Sequence, residues 1–225
     1  MGTSVQTGRT AAQDHPLVAA VVAWLRANRQ KALYIAGIVV IGAGLFLWNG
    51  LSGRQTEQEA GRRLGQARLA FESKNYPLAA SELAQVTENF SGTRAAQQAV
   101  LLLAQTRLLQ GQSQQAIDVL KRFAPDAGRD FRAQAYGLLG AAYENAAHPK
   151  EAAEAYRSAA DAAQFPFLKA QFLSDAGRAW ATAGDTVKAL EAYRAITSLP
   201  ESTSTVIEAR VRIGELTRGA AGAVK

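Results

Sequence analysis

The sequence predicts an all-α protein: an N-terminal transmembrane helix, then a solenoid of α-hairpins closed by a C-terminal capping helix. Three observations predict it. An uncharged, mostly apolar run extends from Ala32 to Gly53. Small residues recur every 36–37 positions after it. Between the paired apolar stretches lie short turn-prone dipeptides, as helical hairpins require.

Composition excludes several classes. The 225 residues, 48% hydrophobic, suffice for one ordinary domain and an appendage. Cysteine is absent, so there is no disulfide framework, no thiolate nucleophile and no Cys-bound metal. His15 and His148 are the only histidines and lie far apart, which disfavours a histidine metal site. No glycine-rich phosphate loop occurs, and no cofactor is expected. Glu151 and Glu154 lie three apart on a helix, where a solvated face is the ordinary outcome. The chain therefore reads as a non-enzyme. The net charge of +6 divides evenly: +3 falls on residues 1–31 and +3 on residues 54–225. No basic stripe with interleaved aromatics forms, so nucleic acid is not an expected partner.

In chain order, residues 1–31 form a polar segment with a short apolar helix over Leu17–Leu25, introduced by Asp14-His15-Pro16. Residues 32–53 read as a transmembrane helix. At 1.5 Å per residue it reaches roughly 33 Å, near the hydrocarbon thickness of a bilayer. Tyr34 and Trp48 suit the two interfaces, and Gly37 and Gly44 punctuate the span. Arg26, Arg29 and Lys31 precede it, whereas Arg54 alone follows closely. The positive-inside rule then sets the N-terminus in the cytoplasm and the large domain in a bacterial periplasm, on a single-pass plasma-membrane protein.

Residues 54–218 read as a repeat domain of four hairpins plus a cap, and 219–225 as a flexible tail. Ala79, Ala116, Ala152 and Ala189 recur in the second helices at spacings of 37, 36 and 37. Twelve residues earlier, Ala67, Ala104, Gly140 and Gly177 keep step in the first helices, and Gly214 continues their series. Small residues at these points let paired helices approach closely. Asn75-Tyr76, Gly111-Gln112, His148-Pro149 and Gly184-Asp185 mark the turns.

This pattern resembles the tetratricopeptide repeat. The third unit supplies Tyr136, Leu139, Gly140, Tyr143, Ala152, Tyr156 and Ala159, and the fourth Gly177, Trp180, Gly184, Ala189, Tyr193 and Pro200. The first two units depart from it, with Ala70 and Arg107 at the first-helix aromatic position. The layout, with AWLRANRQKALYIAGIVVIGAGLFLW leading into repeats, resembles the single-span ancillary subunits of the Sec translocon (the YfgM-like group). That resemblance implies binding to the translocon, a membrane protein complex, and to periplasmic chaperones or exported chains.

Tetratricopeptide arrays bind partner proteins along the concave face, which the first helices line. In this register the candidates are Arg68, Leu101, Gln105, Leu108, Gln134, Gln171 and Arg178, flanked by Phe71, Gln98, Glu144 and Ser174. Leu101 and Leu108 would receive apolar side chains, the glutamines would bond a peptide backbone, and Arg178 would hold an acidic group. The expected function is that of a membrane-anchored protein-binding scaffold accessory to the translocon. The competing expectations are a scaffold assembling an envelope complex and a cytoplasm-facing adaptor tethered to the membrane.

Overall fold

Four turns set the plan of the repeat region. At Lys74, Gly111, Ala147 and Gly184 the backbone becomes left-handed, with φ of 61°, 74°, 59° and 80°. The next amide then donates to a carbonyl five residues back: Asn75 to Ala70, Gln112 to Arg107, His148 to Tyr143 and Asp185 to Trp180, at 2.8–3.0 Å. This is the Schellman ending of a helix, which satisfies carbonyls that the last turn leaves open. Gly111 and Gly184 adopt it without a Cβ penalty. Lys74 and Ala147 carry roughly 1–2 kcal/mol of steric cost there.

The computed structural model describes Trp24, residues 27–199 and residues 203–222, with side chains left out at 32, 33, 35, 36, 41, 43–52, 203, 204 and 219–222. Among these residues α1 runs over Arg29–Glu72, α2 over Tyr76–Asn89, α3 over Arg94–Leu109 and α4 over Ser113–Phe123. A 3-10 turn, Ala124–Asp126, leads to α5 (Arg129–Asn145) and α6 (Pro149–Ala162). Then come α7 (Pro166–Thr182), α8 (Thr186–Thr197) and α9 (Thr203–Gly222). The chain divides into two compact units, Met1–Arg54 and Gln55–Lys225. The second is an all-α solenoid of hairpins.

Helix starts are chemically defined. Asn75 and Asp185 cap α2 and α8 by accepting from Leu78 and Lys188 amides at 3.3 and 3.0 Å. Thr93 caps α3 by accepting from the Ala96 amide at 3.0 Å. The Glu57 carboxylate of α1 accepts from the Arg94 and Ala95 amides at 2.8 and 2.9 Å, closing the same helix end from the preceding repeat. Negative charge is favoured there by the helix dipole. The Gln97 side chain of α3 similarly accepts from the Gly128 amide, just before α5, at 2.8 Å. Each tie fixes one repeat against the next.

Three successive apolar clusters form the core. The first joins α1, α2 and α3 around Leu64, Leu83 and Leu103. The second is built on Leu101, Leu120, Phe131 and Leu139, and the third on Tyr156, Leu173, Trp180 and Tyr193. Ala67, Ala104, Ala79, Ala116, Ala152 and Ala189 are all fully buried in them. Gly140 and Gly177 are buried too: a Cβ on Gly140 would lie 2.6 Å from the Tyr156 ring, and one on Gly177 2.7 Å from the Tyr193 ring. Gly214 on α9 differs, because a Cβ there would meet nothing within 4 Å among the described residues.

The expected membrane span is corrected by the structure. Among the described residues no helix is long and apolar enough to cross a membrane. A span needs about 20 consecutive apolar residues. Of the run 32–53, the described side-chain positions are Tyr34, 37–40, Gly42 and Gly53, all exposed. The same helix carries Arg29 and Lys31 before them and Arg54, Glu57, Glu59, Arg62 and Arg63 after them. The described helices therefore support neither a transmembrane helix nor the single-pass inner-membrane location and single-span translocon-subunit layout expected from it. Gly44 and Trp48, expected as anchor residues, lie outside the described side chains, and residues 17–25 lie outside the described residues apart from Trp24.

Candidate protein-binding surface

The first helices of the hairpins lie side by side. Besides its own hairpin partner, α3 packs on α5, and α7 packs on α9. These helices therefore present one common face, which solenoid stacking makes the inner one.

The candidate residues fall into three groups on that face. Gln105 on α3, Gln134 on α5 and Gln171 on α7 are exposed and have no hydrogen-bond partner among the described residues. Arg68 on α1 is also exposed and donates to the Gln98 side-chain oxygen of α3 at 3.4 Å. Leu101 and Leu108 depart from expectation. Leu101 is 5% exposed inside the second core cluster, and Leu108 packs against that cluster from its edge. Leu101 fills the seam between hairpins and has almost no surface left for a partner's apolar side chain, whereas Leu108 is half-buried beside it. Phe71 is likewise half-buried against the first cluster, with its ring 5.8 Å from that of Tyr76.

Arg178 already has acidic partners within the fold. Its guanidinium donates to both oxygens of Glu144, across from α5, and to Asp175 one turn earlier at 3.0 Å. Glu144 in turn accepts from the Tyr156 hydroxyl at 2.7 Å. The result is a four-membered polar network joining α5, α6 and α7. Bonding to Glu144 raises the guanidinium's pKa further, so it stays charged. Burial is the main reason that the Tyr156 phenol is pushed well above its ordinary value, with the Glu144 bond adding to it. Burial also raises the Asp175 carboxyl above the usual range, against the lowering effect of Arg178.

Beyond this network the inner face opens into a groove of about 430 Å³ between α7 and α9. Gln171, Asp175 and Arg178 line one side, and Glu208 and Arg212 the other. Tyr193 of α8, only 3% exposed, also borders the groove, and Phe167 lies at its edge. The ring of Phe167 stacks on Phe165 at 5.7 Å, and both remain more than half exposed. Sequence reasoning placed Gln171 and Arg178 here but missed Glu208 and Arg212 across from them, although a signal was present. Gln98, Gln134, Gln171 and Glu208 follow one another at 36, 37 and 37, the same period as the small residues. The register that gave the glutamines thus ends on an acid in α9.

No group of three or more His, Asp or Glu among the described residues is placed to hold a metal ion. No family model matches the chain, and no curated protein matches it. Solved structures do. A crystal structure of MamA superposes with a TM-score of 0.55 at 22% identity, over 69% of this chain and 84% of that one. The tetratricopeptide-like repeats of a putative kinesin light chain from Podosopora anserina give 0.56 at 15% identity, over 74% and 89%. These likenesses show the fold, a tetratricopeptide-type solenoid.

Proposed function

We propose that the chain is a protein-binding scaffold whose inner face receives extended segments of partner proteins. The observation that carries this reading is the row of Gln105, Gln134 and Gln171, three exposed amides on successive first helices with no internal hydrogen bonds. An amide offers one acceptor and two donor hydrogens, which match the alternating groups of an extended backbone without demanding a charge. A translocon partnership rested on the membrane span, which the described helices do not provide. What remains in its favour is nothing specific, and the assembly-scaffold reading is the better supported. Replacing Gln105, Gln134 and Gln171 together by alanine should cut co-purification of a bound partner several-fold while leaving the helical melting curve unchanged. Undiminished co-purification by that variant would move the binding surface away from the first helices.

A further inference from the structure

The groove between α7 and α9 has a charge pattern that selects its occupant. Both of its cations are already engaged: Arg178 by Glu144 and Asp175, and Arg212 by Glu215 at 3.0 Å. Glu208, by contrast, has no ion pair or hydrogen bond among the described residues, although it is exposed at the groove wall. The Tyr193 hydroxyl is also without a hydrogen-bond partner there, while its counterpart one repeat earlier, Tyr156, donates to Glu144. The cause is visible in the repeat: the position 37 residues after Glu144 is Ala181, which has no carboxylate to offer. The Glu208 carboxylate and the Tyr193 hydroxyl, both bordering the groove, are thus open to donors from a ligand. Of the charged groups that line the groove, Asp175 and Arg178 are paired with each other and Arg212 is held by Glu215, which leaves the Glu208 carboxylate for a ligand.

We propose that this groove takes an arginine or lysine side chain from an extended segment of a partner protein, paired with Glu208 and hydrogen-bonded to the Tyr193 hydroxyl, with its aliphatic stem against Phe167. The reading rests on the inner face being the partner surface and names the chemistry of the partner there. An arginine suits it best, since its planar fork donates to a carboxylate and a hydroxyl together and its face stacks on an aromatic ring. An acidic segment fits less well, because Arg178 and Arg212 already hold carboxylates of the fold and Glu208 would repel it.

The test uses the full chain and fluorescence anisotropy. The probe is an end-blocked, fluorescein-labelled Gly-Ser-Ala peptide carrying one central arginine, compared with the same peptide carrying citrulline or glutamate at that place. A charge-assisted pair lost from the groove predicts about tenfold weaker binding of the citrulline peptide. In Glu208→Gln, which removes an exposed charge and keeps the shape, the two peptides should bind alike. Tyr193→Phe, which keeps the ring against Gly177, should weaken the arginine peptide alone. The proposal is overturned if the citrulline peptide binds as tightly, if the arginine preference survives in Glu208→Gln, or if the glutamate peptide binds best. Equal binding of all three peptides that is lost in the Gln105, Gln134, Gln171 alanine variant would leave the inner face as partner surface and remove the cation site. Binding of none would remove both.

Discussion

The first two hairpins and the last two close the same gap with different residue pairs. In the first half an alanine on the first helix, Ala67 or Ala104, is followed sixteen residues later by a leucine on the second, Leu83 or Leu120. In the second half the pair is a glycine and a tyrosine: Gly140 with Tyr156, and Gly177 with Tyr193. Both solutions bury their large member, Leu83 and Leu120 completely and the tyrosines to 5% and 3% exposure. Removing the Cβ from one helix makes room for a ring on the other, which is how close packing trades volume across an interface. The difference lies in what the large residue carries at its tip. Leucine ends in methyl groups and stops within the core. Tyrosine carries a hydroxyl to the edge of it, where Tyr156 reaches Glu144 and Tyr193 borders the α7–α9 groove. The glycines of the second half thus do more than pack. They admit the polar groups that give this end of the inner face its network and its groove.

Perturbing each pair would break or sharpen that contrast. The largest effect is expected where an apolar side chain is fully buried. Leu120→Ala should lower stability by about 2–5 kcal/mol, read from a denaturant melt, because the cavity adds to the lost transfer energy. A loss below about 1 kcal/mol would show that the α3–α4 hairpin collapses readily around the gap. Next, Gly177→Leu should overpack the Tyr193 ring and cost about 1–3 kcal/mol. An unchanged melting temperature would mean that the ring has somewhere else to go. Smaller still, Tyr156→Phe keeps the ring and removes one hydrogen bond to a carboxylate that Arg178 still holds, costing about 0.5–1.5 kcal/mol. The corresponding Tyr193→Phe change should be nearly neutral to stability, since its hydroxyl has no internal partner among the described residues. Equal losses for the two would contradict the difference between the third and fourth repeats.

Much of the repeat region was legible because its physics is periodic. A small residue every 36–37 positions requires a helix pair at that interval, and the turns at Gly111 and Gly184 announce left-handed backbone. Lys74 and Ala147 do not announce it; their conformation comes from the two helices that they join. The inner face was read by helix phase alone, and phase does not reveal depth. Leu101 and Leu108 share the register of exposed residues, yet the seam with α5 covers the first and half-covers the second. Arg178 likewise looked available because Glu144 is 34 positions away in sequence, and only folding brings them together. The N-terminal expectation failed for another reason. A 22-residue uncharged run with aromatic ends predicts a span, whereas no described helix is long and apolar enough to cross a bilayer.

A double-mutant cycle on the third repeat tests most directly whether glycine and tyrosine form one packing unit. Gly140→Ala alone should destabilise by about 1–3 kcal/mol, since its Cβ would sit 2.6 Å from the Tyr156 ring. Tyr156→Leu alone should also destabilise, by leaving space beside the glycine. Together they recreate the alanine–leucine pair of the first two repeats, and the combined loss should fall short of the sum of the single losses by at least about 1 kcal/mol. Simple additivity of the two losses would contradict the account.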